Sequence, residues 1–251
     1  MSAEAGTGAG RHIALPEIDS SNAEGFRRAP ALAGPTWITA GLQTAGRGRR
    51  ARPWVSPRGN FHGTLVLKPS GPPEQVALRS FAAALALRDA LVRLTGLPGS
   101  FALKWPNDVL CNGGKLAGIL LESQGLGGPD PVLCIGIGVN LIAAPDAAQV
   151  EPGAVPPVSL LQETGLRITP EAFLAALAPA YASREATFTT EGFAPLRSEW
   201  LAHAARLGEA IRARTGSVTR EGVFETIDAN GNLILRMSQG PVAIPAAEVF
   251  F

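Results

Sequence analysis

The sequence predicts an α+β fold, with a mixed, largely antiparallel sheet flanked by helices and a small β-barrel at the C-terminal end. Three observations predict it. A helical apolar pattern covers residues 75–94, short apolar runs separated by turns fill residues 101–141, and four short strands follow Gly208. Strands joined by turns form hairpins, which make antiparallel sheets. The 251 residues are 46% hydrophobic and 17% charged, enough for a substantial core.

The first third of the chain predicts a leader, a helix and two strands. Residues 1–12 are mostly small and predict a flexible leader. The stretch "NAEGFRRAPALAG" predicts a short helix, because Ser20, Ser21 or Asn22 offers an N-cap oxygen and Gly34-Pro35 stops it. The strands "TWITAGLQ" and "NFHGTLVLK" then flank a loop rich in glycine and arginine.

The rest of the chain predicts three helices and the C-terminal meander. The helix over residues 75–94 should end at Gly96. Thr169-Pro170-Glu171 starts a second helix, which Pro179 should break or kink, and "APLRSEWLAHAARL" predicts a third. In the last 45 residues or so, Asn230-Gly231 predicts a two-residue turn between the second and third of the four strands.

The charge distribution predicts a small anionic ligand. The formal net charge is only +1, yet residues 25–73 contain eight basic residues and no acidic one. A local positive field on an otherwise acidic body favours a compact anion over a long nucleic-acid track.

Cysteine and histidine usage shows no metal-ligand spacing. Cys111 and Cys134 lie in apolar runs and should be buried, reduced thiols, and none of the three histidines lies near them in sequence. The chain has neither a signal-peptide pattern nor about 18 consecutive apolar residues. We therefore expect a cytoplasmic protein that is not in a membrane.

Four motifs carry candidate chemistry. The loop "GRGRRAR" is either an anion cradle or a solvated or RNA-contacting surface loop. In "LKWPNDVL", Lys104 and Asp108 are fixed near one sheet edge, or the polar residues only cap the turn. Lys115 of "GGKLAGILLE" precedes an apolar strand and by itself favours a solvent-facing position. Gly136 and Gly138 of "IGIGVN" permit close backbone approach, but the motif is neither a dinucleotide fingerprint nor a P-loop.

Taken together, the motifs occur in a family-specific order. The series "DSSN … GLQTAGRGRRARPWVSPRGN … LKWPNDVL … KLAGILLES … IGIGVNL" resembles the catalytic domain of biotin protein ligases, and the terminal meander resembles that family's C-terminal SH3-like barrel. The resemblance covers about residues 13–251. It implies a catalytic domain of class II aminoacyl-tRNA-synthetase type over residues 13–205 and a barrel over residues 206–251.

The resemblance implies formation of biotinyl-5′-AMP from biotin and ATP, with Mg²⁺, and transfer of biotin to a lysine of a biotin carboxyl carrier protein. The implied biotin-binding residues are Ser20, Ser21, Gln43, Gly46, Arg47, Lys115, Gly118, Gly136 and Gly138. The implied ATP-binding residues are Arg47, Arg49, Arg50, Trp54, Lys104, Asn107, Lys115 and Asn140. The implied catalytic residues are Lys115, Arg49 and Asp108, the last as a hypothetical base or orienting group for the acceptor amine. The family resemblance leaves monomer and homodimer both open.

Three positions depart from the family pattern: Ser21 for threonine, Ala51 for glycine and His62 for tyrosine. About a dozen residues precede the catalytic region, so we expect no N-terminal helix-turn-helix and no DNA binding through one. A lipoate ligase or octanoyl transferase, which shares the catalytic fold in family terms, is the alternative enzyme. An RNA-binding module that uses the arginine loop is the alternative of another class.

Overall fold

The main sheet has eight strands, and six of its seven neighbouring pairs are antiparallel. A computed structural model of the protein describes residues 3–7, 10–146 and 153–251. The strands are β1 (Ala3–Thr7), β2 (Gly10–Leu15), β3 (Thr36–Ala40), β4 (Phe61–Leu67), β5 (Phe101–Lys104), β6 (Asp108–Cys111), β7 (Gly114–Gln124) and β8 (Val132–Val139). Their order is β1-β2-β3-β4-β8-β7-β6-β5, and only β2 and β3 pair in parallel. The predicted mixed, largely antiparallel sheet is confirmed.

Helices cover both faces of this sheet. They are α1 (Ser21–Arg28), α2 (Pro73–Ala77), α3 (Arg79–Thr95), α4 (Leu160–Thr164), α5 (Pro170–Glu191) and α6 (Phe193–Ala202). Short 3₁₀ turns lie at Ala29–Ala31, Arg49–Ala51 and Pro98–Ser100. The large core joins α3, α5 and α6 to one sheet face, whereas a smaller apolar cluster that includes Ile38 and Val66 lies near α1. None of the helices within residues 10–146 and 153–251 is both long and apolar enough to cross a membrane.

Local signals place three helix ends where predicted. Ser20 caps α1, with its hydroxyl accepting a hydrogen bond from the Ala23 amide, and Thr169 caps α5 in the same way. The long helix α3 ends at Gly96, which has a φ of 71°. A glycine reaches this left-handed conformation without steric cost, so the chain can leave the helix there.

Two other helix predictions are wrong. The first helix ends at Arg28 and not at Gly34-Pro35, because Pro30 has no amide hydrogen to continue it. The helix predicted over residues 75–94 is divided into α2 and α3 at Leu78.

Of the two outcomes predicted for Pro179, a break or a kink, the break is wrong. The helix α5 runs from Pro170 to Glu191 through Pro179. An interior proline costs roughly 3 kcal/mol, but buried side chains lie on both sides of it, among them Phe173, Leu177 and Tyr181. Each such burial contributes about 1.5–3 kcal/mol. Packing against α3 therefore outweighs the missing hydrogen bond.

The C-terminal region is an open antiparallel sheet. Its strands are β9 (Ala210–Thr215), β10 (Val218–Ile227), β11 (Leu233–Met237), β12 (Gly240–Ile244) and β13 (Glu248–Phe250). Their order is β12-β11-β10-β9-β13, so β12 and β13 are the edges of this sheet among the described residues. The predicted small SH3-like domain of short antiparallel strands is confirmed, and no described ladder joins β12 to β13. The sequence predicts four of these strands and misses β13, which has only three residues. The β10–β11 connection also differs from a two-residue turn, because the Asp228 carboxylate accepts hydrogen bonds from the Asn230 and Asn232 amides and widens it.

The predicted leader is extended where the structure describes it. Residues 3–7 pair antiparallel with residues 10–14 at the edge of the main sheet. Ladder pairing satisfies backbone groups whatever the side chains are, so a small-residue segment can add to an edge. Residues 1, 2, 8 and 9 lie outside the described residues.

Candidate active site

A cavity of about 740 Å³ lies over strands β6–β8 and is bounded by the arginine loop and by β13. All but one of the residues predicted for the site line it, namely Ser20, Ser21, Gln43, Arg47, Arg49, Arg50, Trp54, Lys104, Asn107, Asp108, Lys115, Gly118, Gly136, Gly138 and Asn140. Gly46 lies behind the wall instead, where a Cβ would come within 2.7 Å of the Ser56 hydroxyl and of the Trp54 carbonyl oxygen. Motifs that are far apart in sequence therefore meet in one space.

One end of the cavity is a buried polar network, which we call the serine end (Ser20, Ser21, Asn22, Gln43 and Thr64). The Ser21 amide donates to the Gln43 side-chain oxygen at 2.7 Å. The Thr64 hydroxyl lies 2.8 Å from the Ser21 hydroxyl and 2.6 Å from the Asn22 side-chain oxygen. Serine in place of threonine at position 21 thus keeps a hydroxyl inside the network.

Glycines make room for the walls of the cavity. A Cβ on Gly136 would lie 2.5 Å from the Asn22 side-chain oxygen, and one on Gly138 would lie 2.4 Å from the Trp54 ring. The Trp54 indole also lies against Gly118, where a Cβ would stand at 3.2 Å. Its ring nitrogen is buried without a hydrogen-bond partner among the described residues. Trp54 therefore occupies the clearance that the glycines provide.

An ionic cluster lies in the middle of the cavity. The turn between β5 and β6 places Lys104 opposite Asp108 in the ladder, and Lys115 follows on β7. The Asp108 carboxylate is 2.8 Å from the Lys115 ammonium and 3.7 Å from the Lys104 ammonium. The predicted juxtaposition of Lys104 and Asp108 at one sheet edge is confirmed, and Lys115, which by itself favoured solvent, joins them.

The pKa values in this cluster follow from burial and charge. Burial by itself would raise the pKa of Asp108, but Lys115 and Lys104 more than offset this and hold it below the ordinary value. Burial lowers the pKa of Lys104, against the opposing effect of Asp108. Asp108 is therefore ionised at neutral pH and is a weak base.

The arginine loop is held by partners from both sheets. Arg47 pairs with Glu122 of β7 at 3.2 Å. Arg49 donates to the Ala247 carbonyl oxygen at 3.3 Å, and Arg50 pairs with Glu248 of β13 at 3.0 Å. Glu248 also pairs with Arg52 and Arg214. The loop consequently joins the main sheet to the C-terminal sheet.

The backbone of this loop is strained at Ala51, where the family pattern has glycine. Arg50 and Ala51 have φ values of 56° and 57°. The left-handed region costs an L-residue roughly 1–2 kcal/mol, a cost that glycine does not have. Ala51 in place of glycine therefore adds strain to the loop without removing an arginine.

Positive charge dominates the described lining of the cavity. Six cationic side chains line it against two carboxylates, Asp108 and Glu248. Burial, together with repulsion from Arg50, lowers the pKa of Arg49. A buried cation with incomplete compensation favours binding of an anion.

Sequence reasoning misses three parts of the site. Asn22 and Glu122 are polar partners inside quoted motifs, Asn22 donating to Glu122 at 2.8 Å. Residues 247–250 complete the wall around Glu248. The position of Asn22 in the motif "DSSN" could have identified it. Strand β13 has only three residues, too few for a periodic pattern that would predict a strand there.

Within the described ranges, no group of three histidine, cysteine or acidic side chains could hold a metal ion. Cys111 and Cys134 are buried free thiols, as predicted.

Comparison with known proteins gives the family of this chain. A model of the biotin/lipoate A/B protein ligase family matches residues 15–140, and a model of the biotin protein ligase C-terminal domain matches residues 207–251. A biotin–[acetyl-CoA-carboxylase] ligase of Paracoccus denitrificans is 58% identical over 237 residues, which are 94% of this chain and 99% of that protein. A ligase of the same name from Mycobacterium tuberculosis is 30% identical over 98% of this chain and 90% of that protein.

Solved structures share the architecture. The biotin protein ligase from Aquifex aeolicus in complex with biotin and ATP has a TM-score of 0.80 at 25% identity, with 95% of this chain and 97% of that chain covered. The sequence motifs, the fold and the relatives point to the same conclusion. The chain belongs to the biotin/lipoate A/B protein ligase family, among the biotin protein ligases.

Proposed function

We propose that this protein is an ATP-dependent biotin protein ligase. It joins biotin to ATP to form biotinyl-5′-AMP and pyrophosphate, and then transfers biotin to a lysine of a biotin carboxyl carrier protein. The observation that carries the proposal is a single cavity in which the polar serine end and an excess of cations meet around Lys115. The 58% identity to a biotin–[acetyl-CoA-carboxylase] ligase over most of the chain supports this substrate assignment.

Adenylation requires two anions to meet. A biotin carboxylate oxygen attacks the α-phosphorus of ATP, and pyrophosphate leaves. Two unit charges about 4 Å apart repel by roughly 1 kcal/mol in water and about 4 kcal/mol near a protein surface. Arg47, Arg49 and Lys115 line the cavity and offset this repulsion. Lys115, which Asp108 holds at 2.8 Å, bridges the carboxylate and the α-phosphate.

Biotin occupies the serine end and the nucleotide the arginine loop. Ser20, Ser21 and Gln43 hydrogen-bond the biotin head group. The three cavity glycines shape its pocket by giving clearance to Asn22 and Trp54 in the adjacent wall. Lys104, Asn107 and Asn140 lie toward the nucleotide with Arg50, and Trp54 stacks on the adenine. Loop residues that close over the adenylate would shield its mixed anhydride from water.

The described residues do not fit a magnesium site built from protein carboxylates. Asp108 is paired with Lys115, and Glu248 is paired with three arginines. Mg²⁺ prefers carboxylate and phosphate oxygens. We therefore expect Mg²⁺ to arrive with the triphosphate and assign it no protein ligand.

Asp108 orients the acceptor amine rather than deprotonating it. An acceptor lysine has an ordinary pKa near 10.4, and the lowered pKa of Asp108 makes this carboxylate a poor proton acceptor. With Asp108→Asn, transfer should slow more than adenylation, because the amide oxygen can still accept a hydrogen bond from Lys115; the two steps are measured separately. An equal loss in both steps would contradict the role in transfer.

Two alternatives receive less support. A lipoate ligase or octanoyl transferase shares the family model over residues 15–140, but the relatives above are named for biotin. An RNA-binding loop should present its arginines to solvent, whereas Arg49 is directed toward Asn107 and the Ala247 carbonyl oxygen. We place the reaction in the cytoplasm, where buried thiols stay reduced, and we leave monomer or homodimer as a prediction.

Exchange of labelled pyrophosphate into ATP tests the function. Purified protein with Mg²⁺ should exchange in the presence of biotin and not of lipoate, and Arg49→Ala should lose most of this activity. Exchange with lipoate alone would favour the alternative enzyme. Folded protein that exchanges with neither acid would overturn the ligase proposal.

A further inference from the structure

A second, smaller groove adjoins the main cavity. It holds about 180 Å³ and runs from the junction of α2 and α3 to the arginine loop. Ala77 and Ser80 form its outer wall, Leu121 its side, and Asn107 and Arg49 its inner end. The groove and the cavity meet at this end, because both are lined by Arg49, Pro106, Asn107, Ile119 and Leu120.

Arg49 and Asn107 make a weak contact where the two spaces meet. The Arg49 guanidinium lies 3.5 Å from the Asn107 side-chain oxygen. Asn107 is fixed, because its side-chain amide donates to the Ile119 carbonyl oxygen at 2.6 Å and its own carbonyl accepts from the Ile119 amide at 2.9 Å. Arg49 belongs to the strained loop turn. A movement of the Arg49 side chain would therefore break only two long hydrogen bonds among the described residues, to Asn107 and to the Ala247 carbonyl oxygen at 3.3 Å, and would widen this junction.

The groove has the size and lining that suit a lysine side chain. A volume of 180 Å³ equals that of about six water molecules at roughly 30 Å³ each, which accommodates a four-carbon stem and an amine. Ala77, Pro106 and Leu121 offer apolar walls for the stem. Asn107 at the inner end offers a polar oxygen, and Asp108 follows it in the chain.

Charge at the inner end favours the reactive form of the amine. Arg49 is a half-buried cation of the groove lining, and Lys104 is a buried cation of the adjoining cavity. Burial lowers the pKa values of both. A further ammonium beside them is disfavoured, so an incoming lysine would lose its proton more readily than in water. Pyrophosphate, the other occupant to consider, would want several cations, and the described lining of this groove includes one arginine.

We propose that this groove is the path by which the acceptor lysine of the carrier protein reaches the adenylate, an inference that rests on the proposed function. The neutral lysine nitrogen attacks the acyl carbon of biotinyl-5′-AMP. A carbon–nitrogen bond forms, the bond between that carbon and the phosphate oxygen breaks, and AMP leaves with the electron pair. The nitrogen releases one proton to solvent.

Filling the groove tests the path. Ala77 is exposed and Ser80 is partly exposed, so Ala77→Trp and Ser80→Trp add bulk without disturbing the core. Gln75→Trp is the matched control, because Gln75 is exposed on α2 and is not part of the groove. Each variant is assayed for biotin-dependent pyrophosphate exchange and for transfer from preformed biotinyl-5′-AMP. The acceptors are the carrier domain, Nα-acetyl-lysine amide and hydroxylamine.

The proposal predicts a loss confined to lysine acceptors. In both groove variants, transfer to the carrier domain and to Nα-acetyl-lysine amide should fall at least tenfold. Exchange and the reaction with the smaller hydroxylamine should stay within twofold of the unsubstituted protein, and Gln75→Trp should resemble that protein throughout.

Three results would overturn the path. Transfer unchanged with both lysine acceptors would show that the groove is not used. A loss with the carrier domain alone would make the groove a docking contact rather than a path for the side chain. A parallel loss of exchange would assign the groove to pyrophosphate. Absence of exchange in the unsubstituted protein would instead remove the proposed function, and this proposal with it.

Discussion

The two ends of the cavity are built in different ways. At the serine end, Ser21, Asn22 and Thr64 are at most 5% exposed and are joined by short hydrogen bonds. At the other end, which we call the arginine end (Arg49, Arg50, Arg52 and Glu248), the Arg50 and Arg52 side chains are 41% and 51% exposed. One end is formed within the main sheet and α1, whereas the other is assembled between a loop and β13.

This difference predicts different consequences of substitution. A buried polar group left without its partner costs roughly 1–3 kcal/mol, whereas a pair that is half exposed contributes about 0–1 kcal/mol. Changes at the serine end should therefore lower stability and biotin binding together. Changes at the arginine end should act on the nucleotide step and depend on salt.

The largest effect is expected where the two ends meet. Lys115→Met keeps the length of the side chain and removes its charge, so adenylation should fall about 10²–10³-fold, as for loss of one charge-stabilising donor. Pyrophosphate exchange measures it. Lys68→Met is the matched control, because Lys68 is exposed and is not part of the cavity. A variant at position 115 that retained half of the activity would contradict this role.

Breaking the serine end should reduce stability. Thr64→Val removes the hydroxyl that lies beside Ser21 and Asn22 in a fully buried position. The free energy of unfolding should fall by roughly 1–3 kcal/mol, measured by urea denaturation. Thr219→Val, at an exposed strand position, should leave it nearly unchanged. Equal effects of the two substitutions would mean that the network adds nothing to ordinary threonine burial.

Breaking the arginine end should produce a smaller effect that depends on salt. The substitution Glu248→Gln removes the carboxylate that holds the Arg50 and Arg52 side chains in place. The Michaelis constant for ATP should rise several-fold at low salt, and the difference should shrink near 1 M salt, where the screening length is about 3 Å. Glu221→Gln, on the same sheet and exposed, is the control. A defect that did not vary with salt would point to shape rather than charge.

The smallest effect concerns His62, which lies under the segment that follows the arginine loop. Its ring nitrogen is 3.1 Å from the Pro57 carbonyl oxygen, and burial lowers its pKa below the ordinary 6.5. The unfolded chain then binds the proton more readily, so stability is complete above about pH 6.5 and falls as the pH decreases toward the folded pKa.

His62→Tyr, the family's usual residue, should weaken this pH dependence. Urea midpoints at pH 7.5 and pH 5.5 should differ less in the variant than in the unsubstituted protein. Burial also lowers the pKa values of His12 and His203, so part of the dependence should persist. Identical pH dependence in both proteins would show that His62 does not contribute.

Local signals explain what the sequence could predict. The end of α3 at Gly96 and the turn between Lys104 and Asp108 depend on residues close in sequence, and both are predicted correctly. Tertiary packing decides the remainder. Pro179 stays helical because of its neighbours, and Glu248 meets the arginine loop only after about two hundred residues of chain have folded.

Michaelis constants for biotin and ATP, measured in the exchange reaction for Thr64→Val and Glu248→Gln, test the separation of the two ends most directly. We predict that Thr64→Val raises the constant for biotin and leaves that for ATP within twofold, and that Glu248→Gln does the reverse. If each substitution raised both constants by similar factors, the cavity would respond as one unit. That result would contradict the claim that the serine end binds biotin and the arginine end binds ATP independently.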